Sequence, residues 1–447
     1  MTERQLRCAV VGAGYVGCVT AVSVAVTGHR TWLVDTSSDV VASLISGHAP
    51  VREPGLDEAL REVVATGRLV PTTDINAAVG ESDVVFLCVG TPSLPDGGID
   101  LSALLDAARA VIAAVDDEHP RTLVVKSTVV PGTTEGVVAD IVREGTGPWS
   151  LAVNPEFFQE GRALIDGLEP ERIVIGPADE RAGKTLDELY APVDAPIVRL
   201  SAAGAELAKY TSNALLATLI SFANEIADLA EQLPGVDAAD VFGAVHLDRR
   251  LRGPHGRPAE IVSFLMPGCG FGGSCLPKDL SALLQSFTER SLKPRLLSAV
   301  AAINVERARH LVDEVARRAG SLSGRQVAVL GLAFKPGTDD GRDSPAIPIV
   351  AALVERGATV RAFDPAVGPS ARQWWDADAP VAIVDSVEDA LCDADAAVLV
   401  TAWPELASLQ ADQFHGMRTP IVIDGRGALE PELLAGVEYW AVGQGPR

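Results

Sequence analysis

The sequence has no apolar run of about 18 residues, so we expect no membrane span. We also expect no signal peptide in the first residues, MTERQLRCAVVGAGYVG, because glycines interrupt their apolar stretch. Basic residues are also few: 37 Lys and Arg stand against 60 Asp and Glu, a formal net charge of −23 at pH 7. Nucleic acids and anionic membranes need a basic face on their partner, so we expect neither as a partner of this chain.

Cysteine is scarce, and no two cysteines form a CxxC pair. The six are Cys8, Cys18, Cys88, Cys269, Cys275 and Cys392. Scattered thiols are typical of a protein in the reducing cytoplasm, and they favour neither a disulfide framework nor a zinc site. We therefore expect a cytoplasmic protein that holds no metal.

The order of predicted strands and helices indicates a duplicated α/β architecture. From its length of 447 residues we expect about three domains. Its first half alternates β-branched runs with helical patterns, and the last third begins this alternation again. Between them, the absence of Gly and Pro from Ala205 to Leu233 predicts one long helix of about 28 residues. We expect two Rossmann-like doubly wound parallel-sheet domains, 1–200 and 311–447, joined by a central helical domain, 201–310.

A glycine-rich turn after the first predicted strand indicates a dinucleotide site. Gly12, Gly14 and Gly17 form GxGxxG around Tyr15 and Val16, and this spacing lets a pyrophosphate approach the start of a helix. Asp35 follows at the end of the next strand, where an acid accepts hydrogen bonds from the ribose of NAD and repels a 2′-phosphate. NAD is the expected cofactor, and a flavin or a nucleotide sugar on the same turn stays an alternative.

Two further predicted strands end in turns that contain threonine. The segments FLCVGTP (86–92) and KSTVVPGTT (126–134) place Thr91 and Thr128 at the carboxyl ends of strands, where open parallel sheets bind ligands. Ordinary turn chemistry explains either segment taken alone.

The segment GCGFGGSCLPKDL (268–280) predicts a reactive thiol. A helix beginning near Pro277 places Cys275 at a helix N-terminus with Lys278 nearby, and both features favour a thiolate. Its glycines allow a ligand to approach the backbone closely. The other cysteines, with Cys269 open to either interpretation, are expected to be buried and inert: Cys8, Cys18, Cys88 and Cys392.

Candidate partners of this thiol come from other segments. Lys209 and Asn213 project from one face of the long helix and can donate to an oxyanion, although a snorkelling lysine and a satisfied core amide explain them equally well. Glu156 and Glu160, in NPEFFQEG beside Phe157, offer a general base or an exposed loop pair. Lys335 and Arg342, in AFKPGTDDGRDSPA (333–346), can hold a phosphate or are ordinary surface charges.

Taken in order, these motifs resemble the UDP-glucose 6-dehydrogenase family of nucleotide-sugar (UDP-glucose/GDP-mannose) dehydrogenases. The matching segments, which cover nearly the whole chain, are GAGYVG, EPGL (53–56), VGTP, KST, NPEF..EG, ELAKYTSNALLA, GFGGSCLPKD and AFKPGTDD.RDSP. The resemblance implies two Rossmann-like domains bridged by a long dimer-forming helix, hence a homodimer or higher homo-oligomer. It also implies oxidation of a sugar C6 alcohol to a carboxylate with two NAD.

The resemblance assigns roles to individual residues. It implies that Cys275 is the nucleophile, that Lys209 and Asn213 stabilise the oxyanion, and that Asp279 orients water or Lys209. It implies that Glu156 is the base for thioester hydrolysis and that Thr128 positions water and cofactor. Glu160, Lys278 and Arg342 match positions near NAD. The positions that match substrate contacts are Glu156, Phe157, Lys209, Asn213, Arg250, Phe264, Phe271, Gly272, Phe334, Lys335 and Arg426.

The segment GGSC.PKD is more similar to the glucose branch of the family than to the N-acetylated-sugar branch, which usually has GGHC.P.D. UDP-glucose is therefore the first expected substrate and dTDP-glucose the second; the nucleotide base, the exact sugar and the pathway stay open. Two other functions also stay open: a two-electron hydroxy-acid dehydrogenase and a non-catalytic NAD-binding protein.

Overall fold

The computed structural model describes residues 4–253 and 256–446. The chain divides into two compact units, Met1–Ser212 with Gln285–Ser291 and Asn213–Leu284 with Leu292–Arg447. This division does not test the three predicted domain boundaries, which stay a prediction. Each unit contains one sheet with helices, and each has its own apolar core.

The first unit contains an eight-stranded sheet. Its strands are β1 (Arg7–Val11), β2 (Arg30–Val34), β3 (Leu69–Thr72), β4 (Val84–Leu87), β5 (Arg121–Val125), β6 (Trp149–Val153), β7 (Ile173–Pro177) and β8 (Ile197–Arg199). They lie in the order β3-β2-β1-β4-β5-β6-β7-β8. Neighbouring strands are parallel except β6 and β7, which are antiparallel. The order reverses between β1 and β4, where open α/β sheets form their ligand crevice.

Helices connect these strands. They are α1 (Tyr15–Val26), α2 (Ser38–Ile45), α3 (Leu56–Ala65), α4 (Ile75–Gly80), α5 (Ser102–Ala113), α6 (Ala139–Glu144), α7 (Ala163–Leu168) and α8 (Glu180–Tyr190), with a π-helix at Thr134–Val138. The central strands are buried along their length because helical crossovers cover parallel sheets, and this burial explains their continuous apolar runs.

The long predicted helix is present as α9 (Ala202–Ala230). It begins three residues earlier than the sequence indicated because Ser201 accepts hydrogen bonds from the amides of Gly204 and Ala205, 3.1 and 2.9 Å away. Two further helices follow it, α10 (Ala238–His246) and α11 (Leu276–Glu289). Each of α9 and α11 is divided between the two units, so that part of the helix belongs to one unit and part to the other.

The second unit contains a six-stranded, wholly parallel sheet. Its strands are β9 (Gln326–Leu330), β10 (Thr359–Phe363), β11 (Val381–Ile383), β12 (Ala396–Leu399), β13 (Ile421–Asp424) and β14 (Glu438–Ala441). They lie in the order β11-β10-β9-β12-β13-β14. Its remaining helices are α12 (Arg295–Ala319), α13 (Ala346–Glu355), α14 (Val387–Leu391) and α15 (Pro404–Ala407), with 3-10 helices at Arg249–Leu251, Glu260–Phe264, Pro369–Trp374, Ala411–Gly416 and Pro431–Leu433.

The predicted fold class, two Rossmann-like α/β domains with a long central helix, is confirmed. In the part of the chain that the structure describes, no helix combines the length and hydropathy that crossing a membrane requires.

A buried carboxylate organises the first turn of the second sheet. Asp364 follows β10 and is 6% exposed. One of its oxygens accepts hydrogen bonds from the amides of Leu332 and Ala333, at 2.7 and 2.9 Å, and from the Trp403 indole at 3.0 Å. The other oxygen accepts from the amides of residues 366 and 367. The carboxylate thus joins the loops after β9, β10 and β12.

We predict that Asp364→Asn lowers the free energy of unfolding by about 3 kcal/mol, because a carboxamide offers one acceptor oxygen where five donors are now satisfied. Urea unfolding followed by tryptophan fluorescence measures this, since Trp403 contacts the carboxylate. The exposed Asp378→Asn is the matched control and should change stability by less than about 0.5 kcal/mol. Equal stability of the two variants would contradict the role of Asp364.

Candidate active site

The glycine-rich turn has the geometry of a dinucleotide site. Gly12 has φ +99°, a conformation that favours glycine, and a Cβ on Gly17 would lie 1.7 Å from the Gly12 carbonyl oxygen. At Gly14, by contrast, φ is −73° and a Cβ would meet no atom within 4 Å. The fold therefore requires glycine at 12 and 17, while the exposed Gly14 leaves open space at the start of α1. A pyrophosphate fits that space.

Asp35 lies beside this turn, directly after β2. Its two carboxylate oxygens accept hydrogen bonds from the amides of Ala13 and Ser37, both at 2.9 Å. The side chain is half-buried, and a carboxylate with one amide on each oxygen keeps further acceptor capacity for ribose hydroxyls. The turn and the acid together fit NAD, whose chemistry when bound is to accept a hydride.

Tyr15 begins α1 and is tied to a residue that the sequence analysis missed. Its hydroxyl donates to Glu53, which also accepts from the amides of Gly161 and Ala163 at 2.8 Å. Burial and this carboxylate raise the pKa of Tyr15. Glu53 belongs to the EPGL motif; no local periodicity marks it, because its partners lie far away in sequence.

The ends of β4 and β5 are joined by hydroxyl groups. The Thr91 hydroxyl donates to the Thr128 carbonyl at 2.8 Å, and the Ser127 hydroxyl donates to the Val89 carbonyl at 2.7 Å. Thr91 is buried and Thr128 half-buried. The two predicted turns therefore lie side by side at the carboxyl edge of the sheet.

A buried ion pair lies at the end of β6. The Lys209 ammonium, from α9, is 2.8 Å from a Glu156 carboxylate oxygen, and both side chains are less than 10% exposed. The other oxygen of Glu156 accepts from the Phe158 amide at 2.6 Å. Burial raises the pKa of Glu156, but the charge and hydrogen bond of Lys209, the Phe158 amide and the charge of Lys126 together hold the pKa below its ordinary value. Lys209 also lies 5.6 Å from the centre of the Phe157 ring.

Glu206, one turn before Lys209 on α9, was also missed. Its carboxylate accepts from the amides of Gly132 and Thr134, at 2.6 and 2.9 Å, and so fixes the start of the π-helix that follows the KST segment. Burial raises the pKa of Glu206. Glu160, predicted beside Glu156, is half-buried.

In the second unit, Cys275 immediately precedes α11. Its carbonyl accepts from the Asp279 amide at 2.9 Å, as in a first helical turn, and its Sγ lies 3.6 Å from the Ser274 hydroxyl. The thiol is exposed, whereas Cys8, Cys18, Cys88 and Cys269 are buried. Burial raises the pKa of Cys18 and Cys88 to about 12, which makes them unreactive. The expectation of burial is wrong for Cys392, which is exposed just after the short α14.

Asp279 joins the residues around this helix start. It is 2% exposed, and its two oxygens accept from the Asn213 amide and the Lys278 ammonium, both at 2.5 Å. The carboxylate thus fixes Asn213 and Lys278 one turn after Cys275.

The loop before Cys275 packs against the loop that follows β9 and against α12. A Cβ on Gly272 would lie 2.2 Å from the Asp343 carbonyl oxygen, and one on Gly273 would lie 2.8 Å from the Phe334 ring. The Phe271 amide donates to the Asn304 side chain at 2.7 Å. These contacts require small residues in the loop and bring the predicted Phe271, Gly272 and Phe334 together.

The other residues predicted to bind ligands in this unit have the following contacts. Arg426 donates to the Val400 carbonyl at 2.7 Å, and its side chain borders Gly268. Lys335 lies 5.4 Å from the centre of the Phe334 ring, and Arg342 pairs with Asp340 at 2.7 Å. Arg250 is 85% exposed beside Asp248, and Phe264 ends a 3-10 helix.

The fold and these clusters define an NAD-binding oxidoreductase with a second Rossmann-like domain. Family models match residues 6–194 (UDP-glucose/GDP-mannose dehydrogenase family, NAD binding domain), 203–306 (central domain) and 328–431 (UDP binding domain). The chain belongs to the UDP-glucose/GDP-mannose dehydrogenase family. This confirms NAD as the cofactor and confirms the predicted enzyme class.

Individual relatives of known name support this family assignment. A UDP-glucose 6-dehydrogenase of Haloferax volcanii is 41% identical over 430 residues, 93% of this chain and 96% of that protein. The solved UDP-glucose dehydrogenase of Pyrobaculum islandicum is 40% identical with a TM-score of 0.89, covering 99% of this chain and 98% of the other. A UDP-D-ManNAc dehydrogenase of Pyrococcus horikoshii is 32% identical with a TM-score of 0.85, covering 98% and 99%.

We predict different outcomes for alanine substitutions at Gly14 and Gly17. Gly17→Ala should destabilise the protein and lower NAD affinity by about tenfold or more, because its methyl group would overlap the Gly12 carbonyl. Gly14→Ala should leave the stability unchanged and still lower NAD affinity, because its methyl group would occupy the pyrophosphate's path. Calorimetric NAD titration and thermal unfolding without NAD measure the two effects. Normal NAD affinity in Gly14→Ala would show that the pyrophosphate binds elsewhere.

Proposed function

We propose that this chain catalyses the NAD-dependent four-electron oxidation of a nucleotide sugar at C6 to the uronic acid, with UDP-glucose as the first candidate substrate and dTDP-glucose as the second. The observation that carries the proposal is the exposed Cys275 thiol at the start of α11, with the buried Asp279 one turn later. The family models and the named activities of the relatives support the substrate class.

The proposed chemistry needs a covalent intermediate because the aldehyde must not escape between two oxidations. After the first oxidation, the Cys275 thiolate adds to the aldehyde carbon and forms a thiohemiacetal, which still carries one transferable hydrogen. The second oxidation converts this adduct into a thioester. Water then attacks the thioester carbon, the C–S bond breaks, and the products are the carboxylate and the regenerated thiol.

Two sets of side chains serve these steps. Lys209 and Asn213 donate to the substrate oxygen as negative charge develops on it. Asp279, to which the resemblance assigns the orientation of water or Lys209, contacts Asn213 and orients that residue as well. Glu156 accepts a proton from the attacking water, which Thr128 helps to position. The lowered pKa of Glu156 keeps its carboxylate ionised, as a general base requires at neutral pH.

The remaining residues bind the two ligands. We assign the following to NAD: Gly12, Gly14, Tyr15, Val16, Gly17, Asp35, Thr91, Thr128, Glu160, Lys278 and Arg342. We assign these to the nucleotide sugar: Glu156, Phe157, Lys209, Asn213, Arg250, Phe264, Phe271, Gly272, Phe334, Lys335 and Arg426. Arginine and lysine suit a diphosphate, and the phenylalanines suit flat or apolar surfaces of the ligand.

We propose a homodimer or higher homo-oligomer in the cytoplasm. Leu215, Phe222 and Leu229, in the part of α9 that belongs to the second unit, are 48–59% exposed and seven residues apart, and a second copy of this chain would cover them. All six cysteines lie in the described part of the chain, and none forms a disulfide there, which supports a reducing compartment.

Removal of the thiol tests the covalent scheme. In Cys275→Ala we expect uronate formation to fall by more than about 10³-fold while nucleotide-sugar binding persists, because the intermediate cannot be captured. Cys392→Ala, which removes the other exposed thiol, should behave as wild type. Uronate production by Cys275→Ala at the normal rate would refute the scheme.

A substrate panel tests the assignment itself. We expect UDP-glucose to yield two NADH per sugar, with lower rates for dTDP-glucose, GDP-mannose, UDP-N-acetylmannosamine and a small hydroxy acid. NADH absorbance gives the rates, and product chromatography gives the stoichiometry. One NADH from the hydroxy acid alone would indicate a two-electron dehydrogenase, and NAD binding without any NADH would indicate a non-catalytic protein.

A further inference from the structure

Lys126 is a buried cation that the proposed reaction does not use. It directly follows β5, in the KST segment, and is 5% exposed. A buried ammonium needs close partners because its desolvation is costly. Burial lowers the pKa of Lys126, while the nearby Glu156 opposes this change.

Lys126 contacts residues that precede and follow Glu156 in the sequence. Its ammonium donates to the Asn154 side-chain oxygen at 3.0 Å, two residues before Glu156. It also lies 5.4 Å from the centre of the Phe158 ring, two residues after Glu156. The Phe158 amide in turn donates to the Glu156 carboxylate at 2.6 Å. Lys126 therefore braces the segment that presents Glu156.

Asn154 is itself held in place. Its oxygen accepts a second hydrogen bond from the Tyr190 hydroxyl of α8 at 2.5 Å, and its NH₂ group donates to the Val174 carbonyl of β7 at 2.8 Å. The position of the Lys126 ammonium is thereby fixed by β6, β7 and α8.

The charged and titratable groups around Glu156 come from several elements. Lys209 approaches from α9 and Lys126 from the end of β5, and both lower the pKa of Glu156. The Cys88 thiol lies near the end of β4. Tyr190 contacts Asn154, and the Arg172 guanidinium lies 4.2 Å from the centre of the Phe157 ring.

The proposed reaction makes a second cation necessary. Lys209 contacts Glu156 directly, yet the same ammonium is assigned to the substrate oxygen during oxidation. When Lys209 turns to that oxygen, its attraction for Glu156 weakens, and a buried carboxylate that loses its counter-charge tends to take up a proton. A protonated Glu156 cannot act as the base for thioester hydrolysis.

We infer that Lys126 is a positioning residue that holds Glu156 in place and keeps it negatively charged while Lys209 serves the substrate oxygen. The inference rests on the proposed function, in which Glu156 is the base. It assigns to the KST lysine an electrostatic role in the hydrolysis step and no contact with the reacting atoms.

Lys126→Met tests this, because it keeps a chain of similar length against Phe158 and removes the charge. In single turnovers with enzyme in excess over UDP-glucose and saturating NAD, we expect the acid limb of uronate formation to shift to higher pH by about one unit or more, since Glu156 loses a nearby positive charge. Lys126→Arg keeps the charge and should keep the wild-type acid limb. Lys126→Gln replaces the Met variant if that variant does not fold.

The exposed Lys184→Met is the matched control and should leave the pH profile unchanged. A folded Met or Gln variant with the wild-type acid limb would overturn the inference, and so would an equal shift in Lys126→Arg. These outcomes are separate from the proposed function, which fails only if wild-type enzyme forms no uronate from UDP-glucose.

Discussion

The ion pair between Glu156 and Lys209 connects the carboxyl edge of the first sheet to α9. Both groups are nearly inaccessible to water, so the pairing stabilises the charged form of each; removing one partner of such a pair typically costs about 3–5 kcal/mol. Two other carboxylates hold loops of the same unit: Glu206 holds the loop after the KST segment, and Glu53 joins α1 to the amides of residues 161 and 163. Buried carboxylates that accept backbone hydrogen bonds thus fix the loops that follow the strands.

The second unit fixes its loops in a similar way, with close backbone packing in addition. Asp279 immobilises Asn213 and Lys278, while Gly272 and Gly273 permit contacts that any side chain would block. The exposed thiol of Cys275 therefore stands on a rigid support. A rigid support suits the role of nucleophile that we propose for Cys275, because its attack then occurs in a fixed orientation.

Local patterns were sufficient to predict much of this arrangement. GxGxxG with a following acid depends on a short stretch of chain, so Gly12, Gly14, Gly17 and Asp35 could be assigned from spacing alone. The long helix was predictable because nothing in its sequence interrupts it, although its start was displaced by the cap at Ser201. The resemblance to a known family supplied roles that spacing alone left open, such as that of Glu156.

The residues that escaped prediction act over long sequence distances. Glu53 contacts an amide 108 residues away, and Lys126 contacts Asn154 across two neighbouring strands. No periodicity encodes such pairs, because strand order and register bring them together. Strand β6 and its antiparallel pairing with β7 were not predicted either, because a short apolar run does not encode the direction of its neighbour.

The acid that follows the second strand of each sheet has a different set of hydrogen bonds in the two units. Asp35 accepts two hydrogen bonds, from the amides of Ala13 and Ser37, whereas the buried Asp364 accepts five. Asp364 is therefore fully hydrogen-bonded, whereas Asp35 keeps acceptor capacity for the ribose that we propose it binds. In the proposed four-electron oxidation, a single NAD site must release NADH after the first oxidation and bind a second NAD before the next. The release of reduced cofactor is then an obligatory step within each catalytic cycle.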